Sequence, residues 1–226
     1  MIILAVDTAS KSCSVAIVSE HSVLSEITIV TQKTHSRYLM EMIESAIRRS
    51  GISKQELDGY AVTKGPGSFT GLRIGISTMK GLSEATGKPI VGVSSLDALA
   101  VSFSFSVFPV CSMLDARRGE VYYAWYHFKD GAMKKRNQDS VASPKSVSAD
   151  LKTPCLFVGD GSEVYREVLM DQNKGNVFFS PPSQNIIRAA HVGYLGIEKI
   201  HSLETLDNVL IPHYIRKCDA VYKNEY

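Results

Sequence analysis

The residues best suited to chemistry lie in one stretch, residues 64–73, which reads KGPGSFTGLR. An extended run, residues 59–63, precedes it, and a helical pattern follows it. A strand, a glycine turn and a helix in this order can point backbone N–H groups and a helix N-terminus at an anion. Gly65, Gly67 and Ser68 would then line a phosphate-binding turn.

The stretch does not match the two best-known phosphate-binding signatures. No Gly-Lys-Ser/Thr closes it as in a P-loop, and its glycines are spaced G-x-G-x-x-x-G, one residue longer than the dinucleotide fingerprint. The same residues also suit a tight strand-to-helix turn, in which glycine supplies positive φ and Pro66 stiffens the chain. An anion cradle and a purely structural turn are therefore both open.

Composition indicates a globular protein with a substantial core. The 226 residues are 44% hydrophobic, which allows one large domain or two small ones that share a core. Lys and Arg number 25 against 23 Asp and Glu, and a net charge of +2 argues against unaided RNA binding. No signal peptide or membrane span is predicted, so we expect a cytoplasmic protein.

Four cysteines are widely spaced and include no C-x-x-C pair: Cys13, Cys111, Cys155 and Cys218. This pattern favours reduced, buried thiols over a disulfide framework or a metal site.

The order of predicted elements occurs twice. In the first half, strands are expected at 2–6, 13–18, 23–30, 59–63 and 90–93. Three helices are expected there: one at 35–49, one that follows the glycine turn and ends near residue 85, and one that begins near residue 96. In the second half, strands are expected at 108–114, 120–128, 133–141 and 156–158, with helices at 143–151, 162–170 and 185–200. The first strand of each half ends in an aspartate, Asp7 or Asp115. The pattern predicts a duplicated α/β fold with mixed sheets and two subdomains, 1–105 and 106–226.

The whole string at 64–73 is more specific than its glycines. It resembles the GPGS[FY]TGLR segment shared by the bacterial TsaB (YeaZ) family and its paralogue TsaD (Kae/Gcp). Both belong to the machinery that places threonylcarbamoyl on the adenosine beside the anticodon of certain tRNAs. The segments DTA at 7–9, GKPIVGV at 87–93 and DARRGEVY at 115–122 are also similar to TsaB motifs, and TsaD does not resemble the last of them.

The resemblance extends over nearly all of the chain and implies an actin/hexokinase/Hsp70-like (ASKHA) fold. In that fold, nucleotide lies in a cleft between two halves, and each half contributes an aspartate-tipped hairpin.

The resemblance also implies a protein without the metal site of its paralogue. In TsaD, the strand that matches residues 91–93 is followed by an H-x-x-x-H pair, whose two imidazoles lie one helical turn apart and can chelate one ion. Here Ser95 and Leu99 occupy those positions, and the six histidines include no pair three or four residues apart. We therefore expect no metal site and no catalysis of the TsaD or metallopeptidase type.

Asp7 and Asp115 have two interpretations. In kinase-like relatives the first aspartate approaches a nucleotide-bound Mg²⁺, for which a carboxylate is a suitable ligand. Alternatively, each aspartate caps its own hairpin through Asx-turn hydrogen bonds. The candidate nucleotide cleft, for ATP or ADP there or at a subunit interface, comprises Asp7, Gly65, Gly67, Ser68 and Asp115.

The two N-terminal helices carry a second signal. At about 100° per residue, the second helix has one apolar face around Leu72 and Met79 and another that is nearly opposite. A helix that is apolar on two sides should be buried twice, either within its own domain or against a partner helix. The residues expected at a partner interface are Met40, Ile43 and Ile47 of the first helix and Ile74, Thr78, Gly81 and Ala85 of the second.

These observations predict a non-catalytic accessory subunit for tRNA N6-threonylcarbamoyladenosine (t6A) modification, which dimerises with TsaD. The resemblance further implies a TsaE-type ATPase as a third partner, a homodimer when the chain is alone, and contact with tRNA only through the complex. The alternatives are a nucleotide hydrolase, a peptidase that acts on its paralogue, and a direct RNA-binding module.

Overall fold

The computed structural model describes residues 1–31, 34–149, 151–173, 175–202 and 210–216. Two mixed β-sheets flanked by helices make up the fold. The first sheet has the strand order β3-β2-β1-β4-β5, with bounds β1 Ile2–Asp7, β2 Ser12–Ser19, β3 Val23–Val30, β4 Gly59–Gly65 and β5 Ile90–Ser94. The second has the order β11-β10-β6-β7-β8, and β9 also pairs with β7. Its strands are β6 Val110–Arg117, β7 Glu120–Lys129, β8 Ala132–Lys135, β9 Ser140–Ala142, β10 Cys155–Val158 and β11 Val177–Phe179.

The two sheets repeat one topology. In the first, β1 pairs antiparallel with β2 and parallel with β4, and in the second, β6 pairs antiparallel with β7 and parallel with β10. The predicted duplicated α/β fold with mixed sheets is therefore confirmed.

Seven α-helices have described bounds: α1 Leu39–Ser50, α2 Phe69–Thr86, α3 Ser95–Ala100, α4 Pro144–Val147, α5 Asp160–Val164, α6 Arg166–Gln172 and α7 Ala189–His201. Helices α1 and α2 pack on one face of the first sheet, and α7 packs on the other face. Strand β1 shows why both faces are covered, because Leu4 and Val6 enter the core under α1 and α2, while Ile3 and Ala5 enter the core under α7. None of the described helices has the length and apolarity that a membrane crossing requires.

Several predicted elements differ from the structure. The strand expected at 133–141 is divided into β8 and β9, because Asn137 turns inward and its Oδ1 accepts the N–H of Trp125. The helix expected at 162–170 is two helices, α5 and α6, which meet at Tyr165. The last helix begins at Ala189 rather than 185, because the Asn185 side chain instead accepts the N–H of Gly159. The short helix α4 ends at Val147 instead of 151, and strand β11 was not predicted.

The last helix of each half contacts the other half. Helix α7 follows the second sheet in sequence but packs against β1, β2, β4 and β5 of the first. Helix α3 follows the first sheet but packs against β6 of the second as well as β4 and β5. One continuous core therefore joins the two sheets. The thiols of Cys13, Cys111 and Cys155 are free and buried, as predicted, whereas Cys218 lies outside the described residues.

Close packing of α7 gives a first prediction. A Cβ at Gly196 would lie 2.5 Å from the Cβ of Ala61 in β4. The Ala61 Cβ cannot move away without a shift of the strand backbone. Gly196→Ala should therefore lower the free energy of unfolding by about 1–3 kcal/mol, although alanine is the better helix former. Gly81→Ala in α2, where a new Cβ meets nothing within 4 Å, is the matched control and should raise stability by up to about 1 kcal/mol. Urea unfolding of both variants tests this, and equal effects would contradict it.

Candidate functional site

The glycine turn before α2, residues 65–71, is hydrogen-bonded to the tip of the first hairpin, which joins β1 and β2. The N–H of Ser68 donates to the carbonyl oxygen of Ala9 at 2.7 Å, and the Thr8 hydroxyl donates to the carbonyl oxygen of Gly71 at 2.8 Å. A side chain at Gly67 or Gly71 would overlap the carbonyl oxygens of Ala9 and Thr8. These two glycines therefore allow two backbones to meet, which is the structural interpretation of the motif.

The same turn leaves little for an anion. The Ser68 side chain caps α2 by accepting the N–H of Gly71 at 3.2 Å, and the Ser68 N–H is already bonded to Ala9. Gly65, at φ +117°, lies against the carbonyl oxygen of His213, where a Cβ would come within 2.7 Å of it. Two N–H groups that a phosphate cradle would use thus have partners within the protein.

Asp7 lies beneath the first hairpin and is fully buried. Its Oδ1 accepts the N–H of Ala9 at 3.0 Å and the hydroxyl of Thr63 at 2.8 Å, while its buried Oδ2 has no hydrogen-bond partner among the described residues. The pKa of Asp7 is raised to about 7, chiefly by burial and to a lesser extent by the nearby charge of Asp160, while hydrogen bonds, those from Ala9 and Thr63 foremost, oppose the rise.

Asp115 repeats the geometry of Asp7 in the second half. Its Oδ1 accepts the N–H of Arg117, two residues on, at 2.8 Å, just as Asp7 accepts the N–H of Ala9. Asp160, the first residue of α5, adds a second carboxylate there, since its Oδ1 accepts the N–H of Asp115 at 3.1 Å. Burial raises the pKa of Asp160 as well. Both predicted aspartates thus form the Asx turns that the second interpretation requires.

A cleft of about 510 Å³ lies between the two halves. Gly67, Ser68 and Asp115 line it, whereas Asp7 and Gly65 do not. The cleft also has charged and aromatic lining residues that were not among the predicted site residues: Lys11, Phe69, Arg117, Arg118, Tyr122, Asp160, Tyr214 and Arg216. Of these, Phe69, Arg117, Arg118 and Tyr122 belong to the family-like segments at 64–73 and 115–122, whereas the other four lie outside those segments.

The cleft fits a magnesium nucleotide only in part. Its four basic side chains could neutralise phosphate charge, and its volume is in the range of small-molecule sites. Of the residues predicted to hold the phosphates and the Mg²⁺, Asp7 is buried away from the cleft and the Ser68 N–H is occupied, as is that of Gly71, whereas Gly67 and Asp115 line the cleft. ATP or ADP in this cleft stays a prediction.

The positions of the paralogue's metal pair lie in the core. Ser95 and Leu99 of α3 are both completely buried between the two sheets. Within the described ranges, no group of three or more His, Cys, Asp or Glu residues is placed to hold a metal ion.

Helix α2 exposes its second apolar side. Ile74 and Thr78 are half-buried and Gly81 and Ala85 are exposed; these four residues are called the α2 stripe below. The opposite face of α2 is in the core, where Leu72 and Met79 are fully buried and Ile76 is 4% exposed. Both faces therefore lie where the helical periodicity predicted them.

The predicted interface residues of α1 are divided between surface and core. Met40 is 55% exposed, whereas Ile43 and Ile47 are only 3% and 8% exposed. These two isoleucines pack in the chain's own core because α1 lies across β2 and β3. They can support a partner surface but cannot form it, so the prediction that all three residues of α1 meet a partner is wrong for Ile43 and Ile47.

The comparisons agree with this architecture. The family model described as "TsaD: tRNA N6-adenosine threonylcarbamoyltransferase" matches residues 22–222. The "tRNA threonylcarbamoyladenosine biosynthesis protein TsaB" of Bacillus subtilis (strain 168) is 31% identical over 227 residues, which covers 99% of this chain and 97% of the relative. This chain belongs to the TsaB (YeaZ) family.

Solved structures support the TsaB assignment and the fold. "YeaZ from Pseudomonas aeruginosa" is 27% identical with a TM-score of 0.80, and the match covers 94% of this chain and 99% of that one. Component A of (R)-2-hydroxyglutaryl-CoA dehydratase from Acidaminococcus fermentans has a TM-score of 0.55 at 11% identity, a likeness that covers 89% of this chain and 99% of that one and concerns the fold alone. The predicted ASKHA-type fold is confirmed for this TsaB-family chain.

The buried carboxyl group of Asp7 gives a second prediction. Because its folded-state pKa lies above the ordinary value of 3.8, its contribution to stability is full below about pH 4 and is lost as pH rises through about 7. One pKa unit corresponds to about 1.4 kcal/mol, so the loss should amount to a few kcal/mol. Asp7→Asn cannot ionise, and its stability relative to the unmodified protein should therefore increase between pH 4 and 7. Urea unfolding at a series of pH values tests this, and parallel pH profiles would contradict it.

Proposed function

We propose that this TsaB-family chain is a non-catalytic accessory subunit for t6A modification of tRNA in the cytoplasm. In this proposal it binds a TsaD-type catalytic paralogue through the α2 stripe, and a TsaE-type ATPase joins the complex. When no paralogue is present, the same surface pairs two copies of the chain. Membership of the family and the names of its curated relatives support the pathway.

The observation that carries the proposal is the exposed second apolar side of α2. Ile74 contributes an apolar side chain, and Gly81 leaves an open surface on which a Cβ would meet nothing within 4 Å. Small side chains at 78, 81 and 85 allow a partner helix to approach closely, because the distance between packed helices depends on the side chains at the contact. The exposed Met40 of α1 extends the apolar surface.

The replacement of the two metal-binding histidines of the paralogue by Ser95 and Leu99 supports a non-catalytic role. Ser95 offers one hydroxyl group and Leu99 offers no ligand atom, and both side chains are enclosed by the core. A metal at these positions would have at most one weak ligand and no access from solvent. We infer that catalysis belongs to the paralogue and that this chain contributes a binding surface.

Ile74→Asp tests the proposed surface directly. It would place a carboxylate against a partner helix that excludes water, and it should raise the dissociation constant for the TsaD-type paralogue about thirtyfold or more, equivalent to about 2 kcal/mol. The chain should stay folded, because the fully buried face of α2 is unchanged and Ile74 packs only at the edge of the core, where it is half-buried. Size-exclusion chromatography and partner pull-down measure association, and circular dichroism measures folding.

Val107→Asp is the matched control. Val107 is 88% exposed in the second half of the chain, so the same change of an apolar side chain to aspartate should leave association unchanged. A folded Ile74→Asp variant that still dimerises and captures the paralogue would contradict the proposed interface. An unfolded variant would indicate that Ile74 is needed within its own domain.

The non-catalytic role has its own test. We expect the purified chain to contain no stoichiometric Zn²⁺ or Fe²⁺ by elemental analysis, and to show no peptidase turnover or efficient ATP hydrolysis. One transition metal per chain that is lost on substitution of Ser95 would contradict this. So would an ATP turnover in the ordinary enzyme range of about 1–10³ s⁻¹ that Asp7→Asn abolishes.

A further inference from the structure

A segment near the C-terminus crosses between the two halves. Residues 210–216, called the strap below, begin at Leu210, which is 3% exposed and packs in the core under α1 and α2. The N–H of His213 then donates to the carbonyl oxygen of Lys64 at 2.6 Å, at the end of β4. The strap therefore lies beside the glycine turn from which α2 begins.

Tyr214 of the strap holds the first turn of α2. Its ring stacks on the ring of Phe69 with centroids 4.7 Å apart, and its hydroxyl oxygen accepts the Nε–H of Arg73 at 3.0 Å. The Arg73 guanidinium lies 3.8 Å from the centroid of the same Phe69 ring. The Phe69 ring thus contacts both an aromatic ring and a cation, two arrangements that each contribute favourable energy.

Two residues further on, the strap reaches the second half. The Arg216 guanidinium donates to the carbonyl oxygen of Ala116 at 3.2 Å and lies 3.3 Å from a carboxylate oxygen of Glu120. Ala116 and Glu120 belong to the two strands of the β6–β7 hairpin, on the far side of the cleft. One short segment therefore connects the start of α2 to the opposite wall of the cleft.

We propose that Tyr214 is a positioning residue for the partner surface. It fixes the first turn of α2, and hence the direction in which the α2 stripe is presented, relative to the second half of the molecule. The proposal rests on the proposed function, because the partner is the same TsaD-type paralogue. Tyr214 lies outside the α2 stripe and acts on it through Phe69 and Arg73.

Two substitutions at Tyr214 separate its contacts. Tyr214→Ser removes both the stacked ring and the hydrogen bond, and it should raise the dissociation constant for the paralogue at least about tenfold. Tyr214→Phe keeps the ring on Phe69 and loses only the hydrogen bond from Arg73, so the dissociation constant should rise less than about threefold. Ile211→Ser is the matched control on the same strap, since Ile211 is 64% exposed, and it should leave binding unchanged.

Amide hydrogen exchange of the free chain gives the direct readout. Tyr214→Ser should speed exchange in a peptide covering residues 64–75, and Tyr214→Phe should do so much less. Arg216→Ala retains the stacked rings, releases the strap from the second half, and should speed exchange in residues 113–122. This second variant keeps the proposal testable if Tyr214→Ser does not fold.

The outcomes are distinguishable. Weaker binding with unchanged exchange would overturn the proposal, because it would mean that Tyr214 touches the partner directly. Faster exchange with unchanged binding would overturn it as well, because the first turn of α2 would then not matter for the partner. If Ile74→Asp also failed to change binding, the proposed function would be wrong, whereas the exchange results would still report on the strap alone.

Discussion

The contact between the first hairpin and the glycine turn is the constraint on which the rest of the structure depends. The backbones at Thr8 and Ala9 meet the turn so closely that Gly67 and Gly71 cannot carry side chains. Because the turn is held there, α2 starts in a fixed place and presents Leu72 and Met79 to the core. The α2 stripe then lies on the opposite side of the helix from the core. The position of the proposed partner surface therefore follows from the backbone contact between the glycine turn and the first hairpin.

The same contact explains how a family motif can look like a phosphate-binding loop while two of its N–H groups are already bonded within the protein. Hydrogen bonds from the turn end on the first hairpin and on the helix cap. The two aspartates turn their carboxylates towards backbone N–H groups two residues ahead, once in each half. The two hairpins therefore share one geometry. Any ligand that binds in the cleft would contact the basic side chains that line it.

Local patterns predicted a large part of this structure. The meander of the first sheet, the duplication and the two sides of α2 all follow from local sequence patterns, as the half-buried Ile74 and the fully buried Met79 illustrate. The burial of Ile43 and Ile47 could not be read in this way, because it depends on where α1 lies across β2 and β3. Likewise, Arg73 and Tyr214 are 141 residues apart and share no local pattern. The lining of the cleft was therefore only partly predictable.

The most direct test of the central claim is to identify what the chain binds in its own cells. The tagged protein would be purified under native conditions, and its companions would be identified and quantified by mass spectrometry. Our account predicts the TsaD-type paralogue in stoichiometric amount. Recovery of the chain without that paralogue, from cells in which the paralogue is abundant, would contradict it.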